Sequence, residues 1–204
     1  MCDKKDLSER LDRETVFTSD YLNLYIDRVR QPNGAVIERF HYVEYPRAAV
    51  GVVVENEMGQ LVLCRVPRYT TNTCNWSVPA GGVEKGEDAL MAARREAWEE
   101  TGYDSTDYRL VYSYYPQQGS SNKQFLIVFC KSGEKTRQPD PDEISEVRWF
   151  TRQEIEDLIE RGELDDGLGL TALLLWLRQT QLDRAGLAKH PDTVGVSGQT
   201  EHEV

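Results

Sequence analysis

The sequence predicts an α+β fold, on three observations. Strand-like runs fill most of the chain from Val16 to Pro79. A Gly-rich turn (Gly81, Gly82, Gly86) then leads into one acidic helical run that closes at Gly102, a residue suited to a helix C-terminus. After further strands, two helical patterns end the periodic part of the chain.

Taken in order, residues 1–14 are charged and helix-permissive, and are expected to fray. From Val16 the pattern turns to strands. Leu22, Leu24 and Ile26 alternate with Asn23, Tyr25 and Asp27 at period two. Pro32-Asn33-Gly34 supplies turn chemistry, and residues 35–45 return as a second β-rich run. A lone hairpin is marginal in water, so this one must pack on the main body or on a second chain. Phe40, Tyr42 and Tyr45 provide the material. Pro46 marks a boundary, which divides the chain into an N-terminal β subdomain (1–45), a main domain (46–184) and a tail (185–204). The tail has no periodicity and reads as disordered.

In the main domain, residues 48–54 form a nearly continuous apolar strand, Glu57-Met58-Gly59 a turn, and 60–66 a second strand. A polar loop, 69–75, runs into Trp76-Ser77-Val78-Pro79. Residues 108–115 and 124–131 read as a strand pair, separated by a stretch (116–122) without an apolar residue. An acidic loop, 139–143, precedes a strand at 147–150. Thr151-Arg152-Gln153-Glu154 is a capping box, opening an amphipathic helix with Ile155, Leu158 and Ile159 that stops at Gly162. A last helix begins near Asp165 or Asp166. Its run 172–177 is apolar nearly all round, as in a helix buried in a core or at a dimer interface.

The net charge of −11 argues against nucleic-acid or anionic-membrane binding. A polyanionic substrate would therefore be drawn in by local cations and bound metal. No apolar run approaches the ~20 residues that span a bilayer, and the N-terminus lacks an apolar signal core. The four cysteines (Cys2, Cys64, Cys74, Cys130) form no CxxC pattern. Cys64 and Cys130 read as buried thiols and Cys74 as an exposed one, which leads to the expectation of a reducing, cytoplasmic location.

The chemistry lies in the acidic helix. Glu96, Glu99 and Glu100 crowd onto one face, where like charges cost roughly 0.2–0.5 kcal/mol per pair. A divalent cation relieves that cost, and carboxylate oxygens favour Mg²⁺ first and Mn²⁺ second. Arg95, four residues from Glu99, can orient it, and Glu87 can steer the arginine. The alternative is a solvated acidic face.

Spacing separates the two. Gly81, five residues, Glu87, seven residues, then Arg95-Glu96-Ala97-Trp98-Glu99-Glu100-Thr101-Gly102-Tyr103 span 23 positions. The stretch resembles the signature of the Nudix hydrolases, with Gly81, Glu87, Arg95, Glu96, Glu99, Glu100 and Gly102 in register. Ala97 stands where a larger aliphatic residue is usual, and Tyr103 where an aliphatic one often stands. The resemblance implies a Nudix fold: a mixed β-sheet sandwiched between α-helices, with a small N-terminal β-hairpin subdomain. Within the family the chain looks most like the ADP-ribose pyrophosphatase group. The N-terminal hairpin, the segment Arg65-Val66-Pro67-Arg68, and the ending from Thr151 through Gly162-Glu163-Leu164-Asp165 to the Leu-rich helix carry that likeness. That group tends to have a proline where this chain has Gln118; Pro116 comes two residues earlier.

By this resemblance Glu96 and Glu100 hold Mg²⁺, Glu99 bridges a second ion or binds through water, and the main-chain carbonyl of Ala80 is a further ligand. The small Ala92 and Ala93 either leave room for phosphates or simply pack. Arg68, with Arg65 and Pro116, is expected in substrate binding. Arg95, Glu99 and Glu143 form the expected catalytic set. Within the loop Asp140-Pro141-Asp142-Glu143, Glu143 fits the general base best. Tyr25, Phe40 and Tyr42 either stack on a base or pack. The implied activity is Mg²⁺-dependent hydrolysis of nucleoside diphosphate sugars, ADP-ribose (to AMP and ribose 5-phosphate) first. The alternatives are another linked diphosphate, such as a dinucleotide or other sugar nucleotide, or a non-catalytic ligand sensor. The three intact glutamates argue against the sensor. A homodimer is expected, because that group commonly exchanges the hairpin across one.

Overall fold

The computed structural model describes residues 6–187. Cys2 and all of the expected tail beyond Leu187 lie outside them. The chain divides into two compact units, one from residues up to 48 together with 114–124, the other from 49–113 and 125 onward.

The first unit is an antiparallel sheet of three strands, β1 (Glu9–Thr18), β2 (Asn23–Arg30) and β3 (Val36–Glu44), in that order. β1 corrects the expectation of a frayed N-terminus. It is fixed by a contact that no local pattern announces: Arg13 grips the buried Asp27 of β2 with two hydrogen bonds of 2.7 Å. The guanidinium also lies over Tyr25, 4.0 Å from the ring centroid, and Tyr25 stacks on Tyr42 at 6.2 Å. Segment 114–124 joins this unit. Val43 N–H donates to the Ser120 carbonyl (2.8 Å), and Tyr45 N–H to Asn122 Oδ1 (2.6 Å).

The second unit is built on a sheet of order β10-β5-β4-β9-β8, with β6 beside β5 and β7 beside β4. The strands are β4 (Ala49–Glu55), β5 (Leu61–Arg68), β6 (Thr73–Ser77), β7 (Ala80–Gly82), β8 (Thr106–Tyr114), β9 (Phe125–Lys131) and β10 (Glu146–Phe150). β4 and β9 run parallel, whereas β5 is antiparallel to β4, β6 and β10, so the sheet is mixed. Val50, Val52 and Val54 of β4 are fully buried beside β9, whose Ile127 and Val128 are buried too. A strand buried on both faces reads as a continuous apolar run, as 48–54 does.

Helices cover the sheet: α1 (Ala89–Thr101), α2 (Arg152–Glu160) and α3 (Gly167–Arg184). α1 packs on β4, β5, β7 and β9, α3 on β4 and β9. Thr151 and Glu154 form both halves of the capping box that opens α2. Asp166 caps α3, which buries Ala172, Leu173 and Trp176 but leaves Leu174 half exposed. The run 172–177 thus has one buried face rather than burial all round. Cys64 and Cys130 are buried and Cys74 is exposed. Among the described residues no helix is long and apolar enough to cross a membrane.

Two strands replace expected loops. β6 forms where the polar loop was expected, because it returns antiparallel along β5 from Arg68↔Thr73 to Cys64↔Ser77. β7, the start of the Gly-rich turn, pairs with β4.

Candidate active site

α1 carries the acidic residues and is fixed at both ends. Asp88 accepts from the Leu90 and Met91 amides, a start worth about 1 kcal/mol. Gly102, at φ 81°, donates its N–H to the Trp98 carbonyl and ends the helix. Ala92, Ala93 and Ala97 are fully buried, so the two earlier alanines pack against the sheet rather than line a phosphate site. Small Ala97 fits the same buried face. Tyr103 packs edge-on against Trp149 (5.1 Å) and accepts its indole N–H at 2.9 Å. Both departures from the signature thus fill packing positions.

Arg95 is the hub. Its Nε and Nη2 donate to the two oxygens of Glu87 (2.8 and 3.0 Å), and Nη2 also to the Gly82 carbonyl (2.8 Å). Nη1 reaches Glu96 at 2.6 Å and Glu99 at 3.3 Å. The Glu87 hydrogen bond holds the arginine firmly charged and pulls the Glu87 carboxyl below its usual range. The whole Arg95 fork is thus committed to neighbouring groups. A lysine keeps the charge but not the fork that serves four partners. Arg95→Lys should cost roughly 1–3 kcal/mol of stability and lower kcat at least about tenfold. Thermal melts and steady-state rates measure both.

Glu96 is nearly buried, and burial raises its pKa despite Arg95. Its carboxylate lies against Gly81 so closely that any Cβ there would overlap it. A side chain there would push the carboxylate from its place beside Arg95. Glu100 accepts the Ala80 N–H at 3.1 Å. Burial pushes its pKa up to about 8; the Ala80 bond opposes that, Glu96 and Glu143 add to it, and Arg68 opposes it. The charges of Arg68 and Glu143 are thus felt at Glu100. Glu99, on the more open side of the helix, bonds only weakly to Arg95.

The other expected residues divide. Arg68 continues the alternation Cys64, Val66 on the side of β5 that meets α1, where the Cys64 thiol donates to the Glu100 carbonyl at 3.4 Å. Arg65 has the opposite parity. It donates to the Cys74 carbonyl (3.3 Å), pairs with Glu146 (3.8 Å) and lies over Trp76, so it does not join the carboxylates. Pro116 belongs to the segment in the N-terminal unit. Glu143 is exposed on a turn whose next residue, Ile144, is buried against Cys64 and Val66. Cys64 is the one contributor that the sequence reading passed over as a plain buried thiol. It satisfies an end carbonyl of α1 and anchors the Glu143 loop.

Among the described residues, no three acidic, His or Cys side chains converge closely enough to form a ready metal cage. Glu96 and Glu99 turn to Arg95, and Glu100 turns to Ala80. The donors still fit a hard divalent cation. They are carboxylates four residues apart on one helix face, two of them with burial-raised pKa values, beside a backbone stripped of side chain at Gly81.

Comparison with known proteins identifies the family. The NUDIX domain family model matches residues 45–169. An ADP-ribose pyrophosphatase of Bacillus subtilis is 30% identical over 166 residues, 79% of this chain and 89% of that protein. A CMP-5'-(N-acetyl-N-hydroxy-3-aminopropyl)phosphonate hydrolase of Streptomyces rubellomurinus is 29% identical over 163 residues, 78% of each. The crystal structure of an ADP compounds hydrolase superposes with a TM-score of 0.75 at 20% identity, covering 89% of this chain and 97% of that one, and so shares the fold. With the signature residues gathered on β7, the turn after it and α1 with its C-cap, and the family match spanning most of the second unit, the chain belongs to the Nudix family and is a Nudix hydrolase.

Proposed function

We propose that this Nudix hydrolase is a Mg²⁺-dependent pyrophosphohydrolase of nucleoside diphosphate sugars, with ADP-ribose cut to AMP and ribose 5-phosphate as its first activity. The observation that carries the reading is the pairing of buried Glu96 with part-buried Glu100 on one face of α1, where desolvation raises both pKa values and a bound cation would offset it. The Bacillus relative supports the substrate class. Glu96 and Glu100 would hold the cation, with Glu99 and the Ala80 carbonyl as further ligands; Mn²⁺ suits the same donors. When bound, the cation neutralises phosphate charge and lowers the pKa of a water. Arg95 holds Glu96 and Glu99 in place, and Arg68 meets the diphosphate. Glu143 takes the proton from the attacking water as that water adds to one phosphorus and the bridging P–O bond breaks. Arg65 is left to structure by its partners on the other side of β5.

A second reading, hydrolysis of another linked diphosphate, is favoured by Gln118 in place of the expected proline and by the CMP-linked substrate of the Streptomyces relative. Comparing kcat/KM with Mg²⁺ across ADP-ribose, other sugar nucleotides, dinucleotides and CMP-linked compounds separates the two. ADP-ribose should rank first; a higher value for any other compound moves the assignment to it.

The protein is further proposed to work in the cytoplasm as a homodimer. Val16 and Phe17 of β1, Tyr21 in the turn that follows it, and Leu174 of α3 are exposed and suit an interface. Light scattering at micromolar concentration should give twice the 23.4 kDa chain mass. The mass of one chain would refute the dimer.

A further inference from the structure

The connection from β9 to β10 is tied down on both sides of a short span. On its first side, Thr136 and Arg137 both donate their N–H groups to the Gly102 carbonyl, at 2.8 and 3.3 Å. The indole N–H of Trp98 donates to Thr136 Oγ1 at 2.8 Å, and the Arg137 guanidinium lies 4.4 Å from the Trp98 ring centroid. The fit is close enough that a Cβ on Gly102 would overlap the Arg137 carbonyl. On its far side, Ile144 is buried beside Cys64 and Val66, and Ser145 donates its N–H and hydroxyl to the Arg65 carbonyl at 3.0 and 2.9 Å.

Between these anchors lies Gln138-Pro139-Asp140-Pro141-Asp142-Glu143, stiffened by two prolines and by Asp140, which accepts from the Asp142, Glu143 and Ile144 amides. Trp98 stands on α1 directly before Glu99 and Glu100, and it is 39% exposed. An exposed tryptophan with both its N–H and its ring face committed to one loop has a use beyond core packing.

We infer that Trp98, Thr136 and Arg137 form a clamp that sets the 138–143 loop in register with the carboxylates of α1, making Trp98 and Arg137 positioning residues for hydrolysis. The inference rests on the proposed reading for its catalytic consequence, since the loop matters to turnover through Glu143. A six-residue span has little slack, so loosening one anchor moves Glu143 relative to Glu100, and misplacement on the ångström scale is costly to rate.

The test uses Trp98→Phe, which keeps a ring for Arg137 but removes the N–H, and Arg137→Gln, which removes the cation from a surface position. In both, hydrogen exchange at the Thr136, Arg137 and Ile144 amides should rise about tenfold or more, while β4 and β9 amides stay protected. Both should lower kcat about tenfold with KM nearly unchanged. Placed on a Glu143→Gln background, Trp98→Phe should cost almost nothing further, because the group it positions is gone. Unchanged exchange in both variants, an unchanged kcat, or an equal loss in both backgrounds would overturn the clamp. Wild-type turnover in Glu143→Gln alone would instead sink the general-base reading, and amide exchange in Trp98→Phe and Arg137→Gln would then decide the clamp by itself.

Discussion

Replacing Glu100 by glutamine should move turnover and metal-free stability in opposite directions. The substitution keeps shape and removes one charge. Turnover should fall by about 10²–10³-fold, the scale of losing one preorganised charge-stabilising group. Stability follows from the pKa of Glu100, raised by burial from its ordinary 4.5 to about 8. The native state then holds this proton more tightly than the unfolded chain does. Its contribution is undiminished below pH 4.5 and declines as pH rises from there through 8, by up to ~1.4 kcal/mol per unit. Glutamine cannot ionise, so in chelator the variant should gain on the wild type between pH 5 and 8.5. Melting curves at those two pH values measure the gain. A constant difference between the proteins would show that Glu100 is not a buried carboxylate of this kind.

Glu143→Gln carries the second large effect. Its kcat should drop about 10²–10⁴-fold, as for a general acid–base group, with KM nearly unchanged because the interaction forms in the transition state. Asp142→Asn is the control and should matter much less. A loss under tenfold at Glu143 would pass the role to Glu99 first. Asp140 ranks behind it, because its carboxylate already accepts the Asp142 amide at 2.9 Å and serves the turn.

The active-site helix was legible because its chemistry ties residue type to spacing. Glu87, just before the N-cap of α1, meets Arg95 eight residues on within the helix at the signature's spacing, and Gly102 announces its own left-handed backbone. The apolar strand at 48–54 was legible for the same kind of reason: burial on two faces writes itself as an unbroken run. What escaped depended on distant partners. β1 is held by Arg13 meeting Asp27 fourteen residues away, and its charged sequence carries no apolar alternation. β6 is a polar strand stabilised by pairing with β5, and β7 is a short Ala-Gly-Gly strand stabilised by pairing with β4. Arg65 and Arg68 looked equivalent in one short segment. Strand parity parts them, and only the Cys64 contact with Glu100 shows which parity faces the site. The joining of 114–124 to the N-terminal sheet rests on backbone N–H donations from Val43 and Tyr45 and on Lys123, which donates to the Arg47 carbonyl and lies over Tyr45, and it leaves no periodic mark in the residue pattern.

If the carboxylates of α1 serve metal-dependent cleavage of a linked diphosphate, hydrolysis must depend on the metal. Phosphorus NMR of ADP-ribose with the intact protein, recorded with Mg²⁺ and again with excess chelator, tests it most directly. The diphosphate signals should give way to the two phosphomonoester signals of AMP and ribose 5-phosphate only when Mg²⁺ is present. Cleavage that continues undiminished in chelator, or ADP-ribose that binds in Mg²⁺ and stays whole, would contradict it.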